Sequence, residues 1–150
     1  MYGRILVAVD GSETSLRGLH EAIRLAKATG ARLLLVHVLN ALILEPEIAS
    51  TAYYQALATE IRNSGGRILE HAALKAREAG VSFEAKTIDK IGAHAANEIV
   101  AYAKDSHADL IVLGTHGRRG LKRLVMGSDA ELVLRHSPVP VLMVRHPPET

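Results

Sequence analysis

The chain has 150 residues, 48% of them hydrophobic and 23% charged, and 18 Lys and Arg against 16 Asp and Glu leave a net charge of +2. That balance describes a globular protein with an aliphatic core (four Tyr, one Phe, no Trp) and excludes global disorder. The absence of cysteine excludes disulfides, thiolate metal sites and cysteine nucleophiles.

The length fits one domain over residues 1–150. Although the pI is near 9.0, the charge is too mild to imply nucleic acid, whose binders interleave aromatics with their basic patches. The start "MYGRILVAVDGSE" enters a strand-like run without a targeting pattern, and no run approaches the roughly 20 apolar residues of a membrane span. A cytoplasmic location away from membranes is the expectation.

In chain order, "RILVAVD" from Arg4 to Asp10 is a short apolar run closed by a "DGS" turn, and predicts a buried strand. Ser12 or Thr14 can cap the helix that follows, with Leu16, Leu19, Ile23 and Ala26 on one face and Gly30 as its stop. "ARLLLVHVLN" is a second buried strand. Residues 40–50 give no clear signal. A long helical pattern then runs from Thr51 to Ala79, where Gly65 and Gly66 predict a break or kink because each costs about 1 kcal/mol against Ala in a helix interior.

"VSFEAKTID" alternates like a strand with one exposed side. "AHAANEIVAYAKDS" reads as a helix with Ile99, Val100 and Ala103 inward, and "ADLIVLG" as a strand ending at Gly114. After a glycine-rich loop, "SDAELVLRHS" predicts a short helix capped by Ser128, and "VPVLMVR" a last strand. Strands that are apolar on both faces and alternate with helices imply an α/β fold. It is doubly wound and Rossmann-like, a five-stranded parallel sheet in the order 3-2-1-4-5. Ligands of such sheets bind beyond the carboxyl ends of the strands, where Asp10, Val38, the loop near Gly92 and Gly114 fall.

The loop "GTHGRRGLKRLVMGSDA" carries Gly114, Gly117, Gly120 and Gly127, which can adopt positive φ and let a ligand reach the main chain. A nest of backbone amides there, a helix start at Ser128, and Arg118, Arg119, Lys122 and Arg123 suit an anion. The alternative is a tight turn and an ordinary cap. Neither G-x-x-x-x-G-K-[ST] nor G-x-G-x-x-G occurs, which argues against a hydrolytic P-loop and a nicotinamide site.

Together, "ILVAVDGSE", "LLVHV" and "GTHGRRGLKRLVMGSDAELVLRHSPVPVLMVR" resemble the universal stress protein family over almost the whole chain. Gly114, Gly117, Gly127 and Ser128 meet the G-x2-G-x9-G-[ST] pattern of its ATP-binding branch. The resemblance implies ATP, ADP or AMP as ligand, possession of a stress-response or signalling role, and a homodimer paired antiparallel through Pro140 to Val144. It further implies that Asp10 contacts the ribose with Ala8 nearby, that the Val38 backbone holds adenine, and that Gly114 lies at the sugar. Gly117, Gly127, Ser128 and the amide of Asp129 would hold phosphates.

Two positions depart from the family pattern: Asp129 stands where an apolar residue is usual, and His94 where many relatives have proline. The Asp129 carboxylate either weakens triphosphate binding or helps hold a cation such as Mg2+. Asp10 is alternatively an Asx cap of the first turn. His116 either touches phosphate or orders the loop by a hydrogen bond, and His37 is expected to be structural. No zinc spacing is present among the histidines. A binding or signalling protein is the first functional expectation; a slow metal-dependent ATP hydrolase or nucleotidyl transferase, with Asp10 and Asp129 on Mg2+, is the second. A domain that serves only protein interaction is the third.

Overall fold

A computed structural model describes residues 1–39, 51–90, 93–116 and 126–147. In chain order the elements are β1 (Arg4–Ala8), α1 (Glu13–Thr29), β2 (Arg32–Val38), α2 (Ala52–Glu78), β3 (Phe83–Ile88), α3 (Ala95–Asp105), β4 (Leu110–Gly114), α4 (Ser128–His136) and β5 (Val141–Val144). The five strands form one parallel sheet in the order β3-β2-β1-β4-β5, as the alternation of strands and helices predicts.

Successive side chains of a strand point to opposite faces, and here each face has its own core. Ile5, Val7, Leu33, Leu35 and Val112 pack under Leu19, Ala22, Ile23 and Ala26 of α1 and Leu69, Ala72 and Ala76 of α2. Leu6, Leu34, Val36, Ile111 and Leu113 pack under Ile99 and Ala103 of α3 and Val133 of α4. The chain therefore winds outward from β1 to β3 beneath α1 and α2. It then returns to β4, on the other side of β1, beneath α3 and α4. Strand order reverses between β1 and β4, which opens a crevice above their carboxyl ends.

The helix limits follow local chemistry. Ser12 caps α1, its Oγ accepting the Ser15 amide at 3.2 Å, and Gly30 ends it at φ 74°, where an L side chain would be strained. Thr51 caps α2 in the same way, accepting the Tyr54 amide at 3.2 Å. At the amino end of the sheet the Asp109 carboxylate accepts the amides of Gly3 and Arg4, each at 2.8 Å. Those two bonds hold its carboxyl below the usual range.

The break expected at Gly65 and Gly66 does not occur: α2 is continuous for 27 residues. Tertiary packing explains Gly65. A Cβ there would lie 2.5 Å from Leu39 Cδ2 and 2.9 Å from His37 Cδ2, while one on Gly66 would meet nothing within 4 Å. Leu39 is only 4% exposed and cannot swing aside freely. Gly65→Ala is accordingly expected to destabilise the protein by about 1–3 kcal/mol through overpacking. Gly66→Ala should stabilise it by up to about 1 kcal/mol through helix propensity. Urea unfolding of the two variants checks this pair, and equal midpoints would contradict it.

Candidate functional site

The carboxyl end of β1 leads into a tightly bonded turn. Ala8 closes the strand and the Val9 amide donates to the Val36 carbonyl at 2.8 Å, which holds the turn against β2. Asp10 Oδ1 accepts the Ser12 amide at 2.8 Å, and the Asp10 amide donates to Ser15 Oγ at 3.2 Å. The Asx bond weighed for Asp10 is thus present. Gly11 between them takes φ 82°. Asp10 is only partly buried, so this bond leaves it at the rim of the crevice.

His37 is buried, and its Nδ1 lies 2.7 Å from the Val9 carbonyl. A carbonyl only accepts, so this nitrogen carries the hydrogen and the imidazole braces β2 against the turn. The structural role expected for His37 holds. Val38, next along β2, pairs in register with Ile88 and is half-buried at the strand end.

On the other side of the crevice, Gly114 ends β4 directly against the first turn of α1. A Cβ on Gly114 would sit 2.7 Å from the Thr14 carbonyl carbon and 2.9 Å from the Ser15 amide nitrogen. Close approach therefore explains this glycine. The positive φ open to Gly114 and Gly127 is used by neither: Gly127 has φ −60°, and Gly114 is not among the glycines with positive φ. The buried Thr14 hydroxyl donates to the His116 carbonyl, which ties α1 to the residues after β4.

Thr115 holds the two ends of the glycine-rich loop together. Its amide donates to the Val144 carbonyl of β5 at 2.9 Å, and its own carbonyl accepts the Gly127 amide at 2.8 Å. The start of α4 is thereby placed beside the end of β4. Gly127, not Ser128, is the cap of that helix; Ser128 is its first residue and no side chain caps it. The Gly127 carbonyl accepts the Glu131 amide at 3.0 Å. The amides of Ser128, Asp129 and Ala130 precede that first bond and have no acceptor within the helix. They carry the positive end of the helix dipole. Ser128 and Asp129 are exposed, so an anion can reach the first two of these donors.

His116 Nδ1 lies 2.8 Å from Thr115 Oγ1, and its Nε2 is buried without a hydrogen-bond partner. Gly117, Gly120 and the basic residues Arg118, Arg119, Lys122 and Arg123 lie outside the described residues, as does Gly92. His94 occupies the cap position of α3 without a side-chain bond. Among the described residues no three His, Asp or Glu side chains cluster as a metal site, and no helix is long and apolar enough to cross a membrane.

Sequence reading names Thr14 only as a possible cap. Its bond to His116 spans 102 residues, and the one local signal for it was a polar residue at an inward helix position. A second long-range contact lies at the rim, where His146 Nε2 is 2.8 Å from Glu13 Oε1 at the start of α1.

The model of the universal stress protein family matches residues 1–145. The chain belongs to the universal stress protein family. Among curated relatives it is 37% identical over 151 aligned positions to universal stress protein YxiE of Bacillus subtilis, covering 97% of this chain and 100% of YxiE. Among solved structures it is similar to the hypothetical protein MJ0577, at TM-score 0.83 and 28% identity with 99% of each chain covered. It is similar also to a universal stress protein in complex with cAMP, at TM-score 0.68 and 29% identity over 95% of this chain and 97% of that one.

His146 has its pKa raised, first by the Pro147 carbonyl on Nδ1 and then by Glu13. A raised folded value makes the contact's contribution fully present below the ordinary imidazole value and lost as pH rises through the folded one. An NMR titration of His146 should show a midpoint above that of a free imidazole. Glu13→Gln should lower it only in part, because the Pro147 bond remains; an unchanged midpoint would refute the contact.

Proposed function

We propose that this universal stress protein is a single domain that binds an adenine nucleotide, ATP or AMP, at the crevice between β1 and β4 and acts in stress response or signalling through the bound state. The observation that carries the reading is the placement of three amides without helix partners, Ser128 to Ala130, beside the end of β4 by the Gly127–Thr115 bond. The cAMP complex of a relative supports the nucleotide class. The phosphates sit on Gly117, Gly127, Ser128 and the amide of Asp129. Gly114 and Asp10 meet the sugar beside Ala8, and the Val38 backbone meets adenine. His116, with Nδ1 engaged by Thr115 and Nε2 enclosed, orders the end of β4 beside the phosphates.

The proposed role is binding rather than turnover. Mass spectrometry of the small molecule released on gentle denaturation, with thermal shift on adding ATP and AMP, tests the reading. No released nucleotide and no shift with either would refute it.

Asp129 and Glu131 put two carboxylates in the first turn of α4. The helix dipole favours them there, but a triphosphate brings like charge to the same turn. Asp129→Asn is expected to tighten ATP severalfold in metal-free buffer and AMP less, since AMP carries fewer charges. Isothermal titration with both nucleotides checks the ordering, and an equal gain for the two would contradict it.

The four-residue β5 is a sheet edge with Leu142 36% exposed. An unpaired edge of this kind accepts a strand from another chain. The proposed assembly is a cytoplasmic two-fold homodimer joined antiparallel along Pro140 to Val144. A monomeric mass in light scattering at micromolar concentration would refute it.

A further inference from the structure

The face of the sheet under α1 and α2 carries a cavity. A cleft of about 310 Å³ lies between these helices, at the small end of the roughly 300–1,000 Å³ of small-molecule sites. Its apolar side is built by Val9 at the end of β1, Leu16 and Leu19 of α1, and Ile68 and Ala72 of α2. Ser64, Arg67 and His71 of α2 supply its polar side, at spacings of three and four residues that put them on one helix face.

The polar groups of the two helices differ in availability. On the α1 side, Ser12 Oγ accepts the Ser15 amide, and Ser15 Oγ accepts the Asp10 amide while donating to the Ser12 carbonyl. Those hydroxyls are committed to the turn. On the α2 side, one nitrogen of Arg67 meets Glu60 Oε1 at 2.9 Å, outside the cleft lining, and the guanidinium has further donors. His71 offers an N–H in either protonation state. Among the described residues no acidic side chain lines the cleft.

We propose that this cleft binds a small amphipathic anion, with an alkyl chain against Leu16, Leu19 and Ile68 and a carboxylate on Arg67 and His71. An apolar wall facing a row of cationic and N–H donors, with no carboxylate among the described lining residues, matches that shape and charge, and a neutral or cationic amphiphile pairs with these donors less well or is repelled. The cleft shares the β1–α1 turn with the proposed nucleotide crevice, since Gly11 and Ser12 line it beside Asp10, but it opens on the α1–α2 face and uses none of Gly114, Gly127, Ser128 or Asp129.

Octanoate is the probe, titrated into the full chain and followed by amide NMR. The expected result is a saturable set of shifts centred on Leu16, Leu19, Ile68 and Ala72, with 1-octanol and octylammonium binding at least about tenfold more weakly. Arg67→Gln combined with His71→Gln, both on the exposed side of α2, should weaken octanoate about tenfold with unchanged circular dichroism. Octanol binding as tightly as octanoate would overturn the proposal, as would an unchanged affinity in the double variant. Scattered shifts that never saturate would also overturn it. Competitive displacement of octanoate by AMP would do so too, by making the cleft part of the nucleotide site.

Discussion

Gly114→Ala is expected to destabilise the protein by about 3 kcal/mol, the upper end of ordinary overpacking. The new Cβ would lie 2.7 Å from the Thr14 carbonyl carbon and 2.9 Å from both the Ser15 amide nitrogen and Thr14 Oγ1. Two of those atoms are backbone in the first turn of α1, which is held by the Ser12 cap and the Thr14–His116 bond. No side-chain rotation relieves the clash; either α1 or β4 has to move. Gly18, one turn further along α1, is the control. Its Cβ would meet the same strand at 3.6–3.7 Å, ordinary contact, so Gly18→Ala should be neutral or stabilise by up to about 1 kcal/mol. Thermal and urea unfolding of both variants measure the difference. A Gly114→Ala protein as stable as the parent would mean that α1 does not press on β4.

The same contact marks what the sequence could and could not disclose. Apolar runs such as "ILVAV" and "LIVLG" announce buried parallel strands because both faces are covered, and the two cores divide their residues by alternation as that reading requires. Ser12, Gly30 and Thr51 act where their local chemistry places them. Gly65 misleads because helix propensity is a local quantity. Its cost is real, but a side chain there would collide with His37 and Leu39 from another strand end, and that collision outweighs the cost. Ser128 misleads for a related reason: serine is a favoured cap, yet the Thr115 carbonyl holds the Gly127 amide and sets the helix start one residue earlier. Contacts such as Thr14 to His116 join residues 102 apart, and a window of the sequence shows at most a polar residue at an inward helix position without its partner.

Gly127→Val is expected to lower nucleotide affinity at least about a hundredfold, roughly 2.7 kcal/mol, while the fold survives. The backbone permits the substitution, because φ −60° and ψ 148° lie in the extended region open to any L residue. Its amide and carbonyl bonds, to Thr115 and from Glu131, are main-chain groups that valine also possesses. The folding cost should therefore be confined to a poorer cap, about 1 kcal/mol. What valine adds is a branched side chain at the residue preceding the amides of Ser128, Asp129 and Ala130, where a phosphate has to come within about 3 Å of nitrogen. In the proposed phosphate site, glycine here serves access rather than conformation. Isothermal titration with ATP and AMP, beside an unfolding curve of the same variant, separates the two effects. If Gly127→Val binds nucleotide as the parent does, the start of α4 is not the phosphate site; Ser128→Ala, which keeps every amide, should by contrast weaken binding about tenfold, the low end for the loss of a single hydroxyl donor to a charged group.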